Sequence, residues 1–151
     1  MDHKKCHNLP YLCIDIETEL KIHAYEIVSL GGGGLAVDLS AKSADHLMAV
    51  SDEDILKIAQ SNVIANLLPS TSFYLNKDFA RARFMIDNGC AVSISSDYNP
   101  GSSPSENLQF SMQLAANKLR MTPNEILNAV TINAAYNLGI SEKTGSIEKG
   151  K

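Results

Sequence analysis

The chain has 151 residues, of which 44% are hydrophobic and 20% charged, and its net charge is −4. That suffices for one domain with a real core, in a composition ordinary for a globular protein in water. The acidic balance and the lack of a basic stripe exclude a nucleic-acid footprint, and no apolar run is long enough to span a bilayer.

Met1-Asp2-His3-Lys4-Lys5 is not followed by an apolar stretch, so no secretory leader is expected. Cys6, Cys13 and Cys90 make an odd count without paired spacing, which points to free thiols in a reducing cytoplasm. Residues 1–16 follow no regular pattern and are set apart as an irregular N-terminal segment; residues 17–151 are read as the structured unit. Residues 20–24 alternate and predict a strand ending near His23. The glycines 31–34 break the chain, and residues 35–41 follow as a short helix. Residues 43–48 form a second strand with His46 near its end. Ser51, followed by Asp52, Glu53 and Asp54, caps a helix through Gln60 that buries Ile55, Ile58 and Ala59. Residues 62–68 give a third strand stopped by Pro69, and residues 78–88 a helix closed by Gly89. Residues 92–96 complete a fourth strand, buried and made of apolar or small side chains. A helix over 106–119 places Leu108, Met112, Ala115, Ala116 and Leu119 on one face. Thr122-Pro123-Asn124-Glu125 is a capping box with proline at the first helical position; it launches a helix with Ile126, Val130, Ala134 and Leu138 in line, ended by Gly139.

Short strands alternating with helices predict an α/β fold of repeated β-α units around a parallel sheet. About four units fit. They make either a small open sheet or half of an eight-stranded barrel, since a complete barrel takes roughly 250 residues.

Ligands of such folds gather at the carboxyl ends of the strands. Three of the four predicted strand ends carry an ionisable group: His23, His46 and Asp97. The third ends instead in Leu68-Pro69-Ser70-Thr71-Ser72, polar but not ionic. Asp97 lies where a core strand meets the turn Asn99-Pro100-Gly101-Ser102, and a carboxylate there needs a metal or a hydrogen-bond network. Imidazole and carboxylate suit Zn or Fe, and a catalytic site of that kind takes three protein ligands and leaves one position open. Glu26, three residues past His23, is available to move protons. Each residue also has a plain structural reading. His23 could be a core or surface histidine, His46 a strand cap, Asp97 a turn stabiliser and Glu26 a solvated side chain. The glycine run lacks the Gly-Lys-Ser/Thr of a phosphate loop and reads as a flexible turn. His3, Cys6 and His7 lack a fourth ligand and read as a disordered end.

Lys21-Ile-His-Ala-Tyr-Glu26, Ser43-Ala-Asp-His-Leu47 and Ser96-Asp-Tyr-Asn-Pro-Gly-Ser-Ser103 together resemble the imidazolonepropionase family of the amidohydrolase superfamily. Leu68-Pro69, Thr122-Pro-Asn-Glu125 and Val130-Thr-Ile-Asn-Ala-Ala135 fit it in the same order. The resemblance implies a partial (β/α)8 barrel, the four C-terminal units that carry strands five to eight. It implies hydrolysis of the ring C–N bond of 4-imidazolone-5-propanoate to N-formimidoyl-L-glutamate, with one divalent metal, Zn or Fe. His23 and Asp97 would then be metal ligands, and Asp97 would also accept a proton from the attacking water. Glu26 would contact the substrate ring and shuttle a proton. His46 would polarise the ring carbonyl, and Asn99, Gly101 and Ser102 would bind substrate.

The sequence departs from the family pattern in specific places. No His-x-His pair occurs in it, although the family carries one on its first barrel strand. Tyr25 stands where the family has Asp, residues 1–16 do not fit, and the sequence stops at Gly150-Lys151 where the family continues. The expectation is therefore the second half of an enzyme, acting on a small molecule once the missing half or a second copy completes the barrel. The alternative is a non-catalytic remnant or interaction module; another cyclic amidohydrolase or deaminase is a third reading.

Overall fold

The computed structural model describes residues 19–24 and 31–151; the irregular segment expected over residues 1–16 lies outside them. Four strands, β1 (Lys21–Ala24), β2 (Ser43–His46), β3 (Ile64–Leu67) and β4 (Val92–Ile94), form one parallel sheet in the order β1-β2-β3-β4. Each strand lies beside its predecessor, so all four carboxyl ends share one edge and the order never reverses, unlike a doubly wound sheet. Helix α1 (Gly32–Asp38) follows β1, α2 (Asp52–Ala59) follows β2, and α3 (Pro69–Tyr74) and α4 (Ala82–Asp87) follow β3. After β4 come α5 (Leu108–Asn117), α6 (Pro123–Val130) and α7 (Ile132–Asn137).

Register divides the sheet into two chemically distinct faces. Ile22, Ala44, Ala65 and Val92 make one row across it, and His23, Asp45, Asn66 and Ser93 make the next. Successive side chains of a strand point to opposite faces, so one face is apolar and the other polar. The apolar face packs against Ala36, Ile55, Ile58, Met85, Ile126 and Ala129 from the helices. Ile55, Ile58 and Met85 are fully buried, and each such side chain contributes about 1.5–3 kcal/mol.

Several sequence expectations are modified. Strands are shorter than their apolar runs, β4 ending at Ile94 rather than residue 96. The glycine run opens α1 instead of breaking the chain; a Cβ at Gly34 would lie 2.8 Å from Asp54 Oδ1, so its absence lets α1 approach α2. Pro69 does stop β3, but it also starts α3, because a missing N–H costs nothing at the first position. The helix expected from residue 78 begins at Ala82.

The last long helix is broken in two. Thr122 and Glu125 form the expected capping box, but Thr131 leaves helical geometry (φ −119°, ψ −91°) and its hydroxyl donates to the Leu127 carbonyl at 2.6 Å. The break removes Leu138 from the buried line and leaves it 63% exposed. Ala116 is likewise exposed, and Leu114 is buried on α5 instead. Arg83 of α4 grips Glu125 through two bonds of 2.9 and 3.0 Å, tying α4 to α6. That guanidinium, helped by the Thr122 N–H, holds the Glu125 carboxyl down at about 2.

Candidate functional site

The site is built at the carboxyl edge of the sheet. Strand alternation alone would send His46 to the apolar face, in register with buried Ala24. Instead His46 and Leu47 take left-handed conformations, φ 72° and 57°. Non-glycine residues pay for that geometry in strain and hold it where surrounding contacts fix it. Here Leu47 N–H donates to the Ala24 carbonyl at 3.0 Å, and the Leu47 side chain enters the core. His46, 2% exposed, meets His23 edge-on with ring centroids 4.2 Å apart. Two imidazoles from adjacent strand ends are thus brought together.

Asp97 follows β4 and also has a left-handed backbone, φ 54°. Its carboxylate does not hold the following turn; Oδ2 accepts the Thr71 hydroxyl at 2.5 Å. The turn is held by Asn99, whose Oδ1 accepts from the N–H groups of Gly101 and Ser102 at 2.9 and 2.8 Å, while its Nδ2 donates to the Asp97 carbonyl at 2.6 Å. The Ser103 hydroxyl ties the loop back to the Ser96 carbonyl at 2.7 Å. Asn99, Gly101 and Ser102, expected to bind substrate, therefore form one prestructured loop directly after Asp97. Glu26 and Tyr25 lie outside the described residues.

A polar layer lies on the same sheet face. Asn66 of β3 donates to Asp45 Oδ1 at 3.1 Å and accepts from the hydroxyls of Ser93 (2.8 Å) and Ser95 (3.0 Å). Ser43 also donates to Asp45, at 2.9 Å. Asn137 of α7 donates to Ser93 at 3.2 Å and accepts Lys21 Nζ on its Oδ1 and its carbonyl. Burial lowers the Lys21 pKa, opposed by the Asp45 charge. Sequence reasoning missed Asn66 and Thr71. An asparagine inside the otherwise apolar Ile64-Ala65-Asn66-Leu67 run was the available signal for the first, and three consecutive hydroxyls after Pro69 for the second.

His23 lies on β1 and Asp97 in the segment after β4, the two strands at opposite ends of the described sheet. Among the described residues no group of three or more His, Cys, Asp or Glu is arranged to hold a metal ion. The donor types suit Zn or Fe, and two such donors are fewer than the three protein ligands a catalytic site of that kind takes. Among the described residues no helix is long and apolar enough to cross a membrane.

These features coincide with a known fold. Residues 6–151 match the amidohydrolase family, and the chain belongs to it. The match takes in most of the N-terminal segment that the motifs left out. Within that family the chain is similar to the imidazolonepropionases of Fusobacterium nucleatum (57% identical over 133 residues) and Bacillus velezensis (58% over 133). These alignments take in 88% and 87% of this chain and 32% of each relative, so the chain spans about a third of their length. A solved structure of a mutant atrazine chlorohydrolase from Arthrobacter aurescens TC1, complexed with zinc and atraton, superposes with a TM-score of 0.84. It covers 100% of this chain and 38% of that one at 18% identity, a likeness of fold alone.

Proposed function

We propose that the chain carries one arm of an imidazolonepropionase active site, which hydrolyses the ring C–N bond of 4-imidazolone-5-propanoate to N-formimidoyl-L-glutamate. The observation that carries the reading is the placement of paired His23 and His46, and of the braced Asp97, at one sheet edge. The identity to imidazolonepropionases supports the substrate. The four β-α units would be strands five to eight of a (β/α)8 barrel, a reading supported by the unreversed strand order.

His23 and Asp97 would hold a divalent metal, Zn or Fe, with further ligands from elsewhere in the barrel. The chemistry such a metal would supply there is a water acidified toward neutral pH. Asp97 would accept a proton from the attacking water as the water oxygen bonds to the ring carbonyl carbon. His46 donates a hydrogen bond to the carbonyl oxygen and stabilises the charge that develops on it. Glu26 delivers a proton to the ring nitrogen as the C–N bond breaks. Asn99, Gly101 and Ser102 seat the substrate through their loop. Since the chain spans about a third of its relatives' length, turnover requires the rest of the barrel, from a complementary segment or a second copy.

The second reading, a non-catalytic module, draws on the lack of a three-ligand group among the described residues. In a protein with a complete barrel, His23→Ala and Asp97→Ala each abolish turnover; turnover retained in either variant refutes the assignment.

A further inference from the structure

β3 ends without an ionisable residue, yet three consecutive buried hydroxyls follow it on α3. Each reaches a different element. Ser70 Oγ shares a 2.7 Å bond with Ser111 Oγ of α5. Thr71 donates to Asp97 beyond β4, and Ser72 donates to Met48 Sδ beyond β2 at 2.8 Å. Ser70, Thr71 and Ser72 are 1%, 0% and 2% exposed, so their hydroxyls depend on these partners rather than on water. Pro69 fixes the entry to the helix. The three bonds anchor α3 to both flanking strand ends and to α5.

We infer that Thr71 is a positioning residue for Asp97, acting through the carboxylate rather than on the substrate. The inference rests on the proposed metal-binding role of Asp97. The β-branched threonine has a restricted χ1 in a helix, and its buried hydroxyl takes one side of Oδ2. The carboxylate of a residue with left-handed backbone is thereby held in one orientation, with Oδ1 left out of that bond for ligation. Ser70 and Ser72 fix the helix that carries Thr71 and do not touch Asp97.

The test uses a chimera in which residues 19–151 replace the corresponding part of the Fusobacterium nucleatum imidazolonepropionase, so that the barrel is complete, with Zn²⁺ as probe titrated against a chromophoric chelator. Thr71→Val keeps the shape and removes the hydroxyl, and weakens Zn²⁺ binding about tenfold or more, whereas Thr71→Ser restores it. Ser70→Ala, which breaks the anchor to α5, lowers the unfolding midpoint and leaves the Zn²⁺ affinity unchanged. Equal Zn²⁺ affinity in Thr71→Val and wild type overturns the inference, as does an equal loss in Ser70→Ala. A double-mutant cycle of Thr71→Val with Asp97→Ala, read by urea unfolding without metal, gives a coupling of about tenfold in the unfolding constant. Strict additivity there overturns the contact itself. A folded wild-type chimera that takes up no Zn²⁺ counts against the proposed metal site, and the metal-free cycle then decides the inference alone.

Discussion

Replacing Asn66 with alanine should remove the hub that joins β2, β3 and β4 below the strand ends. Three bonds are lost: the donation to Asp45, and acceptance from Ser93 and Ser95. They are not equal. Asp45 is half-buried and keeps its Ser43 donor, so that loss costs about 1 kcal/mol. Ser93 is 1% exposed; it still accepts from Asn137, but its own proton is left buried without an acceptor, a cost of about 1–2 kcal/mol. Ser95 is half-buried, and water can replace Asn66 there at a cost of a few tenths, on the order of 0.5 kcal/mol or less. Asn66→Ala is therefore expected to destabilise the fold by about 3 kcal/mol, and Ser95→Ala by about 0.5 kcal/mol. Urea unfolding followed by far-ultraviolet circular dichroism at pH 7 reads both. A loss below about 1 kcal/mol for Asn66→Ala, or one no larger than that of Ser95→Ala, refutes the reasoning.

Two further outcomes follow from burial and charge. Glu125 has a folded-state pKa near 2 against an ordinary 4.5. Its contribution to stability is complete above the ordinary value and is lost as pH falls from there toward 2. The unfolding midpoint of wild type should thus exceed that of Glu125→Gln at pH 6, and the gap should close toward pH 2; a gap independent of pH contradicts the ion-pair account. Added salt should narrow the pH 6 gap, because the pair is partly exposed. Burial pushes the Cys90 thiol up to about 11, and its Sγ donates to the Ile55 carbonyl at 3.4 Å. With Cys6 and Cys13 replaced by serine, an aromatic disulfide reagent should label Cys90 only in step with unfolding. Rapid labelling of the native protein contradicts that burial.

The parts of the fold legible in the sequence were those governed by local chemistry. The capping box at Thr122, the Ser51 cap and the alternation around His23 all lie within a few residues of what they control. The elements that shifted depend on distant neighbours. Gly34 read as part of a break because nothing nearby in sequence shows that α2 will pack on it. Thr131 ends a helix whose apolar spacing continues past it, since the hydroxyl that competes for the Leu127 carbonyl leaves no mark in the hydrophobic pattern. At the site, His23, His46 and Asp97 stood out as ionisable groups at strand ends. Thr71 and Asn66 did not, because their importance is the company they keep: a threonine becomes informative only when 26 residues later an aspartate meets it. The left-handed turn at His46, which overrides strand alternation, is likewise a tertiary effect.

The most direct test of the account grafts residues 19–151 into the corresponding part of the Fusobacterium nucleatum imidazolonepropionase, to which this chain is 57% identical. Loss of 4-imidazolone-5-propanoate and appearance of N-formimidoyl-L-glutamate are followed in the metal-loaded chimera. Hydrolysis that disappears in both His23→Ala and Asp97→Ala is the predicted result. A folded, metal-loaded chimera that leaves the substrate intact, or one that still turns over without Asp97, contradicts the account.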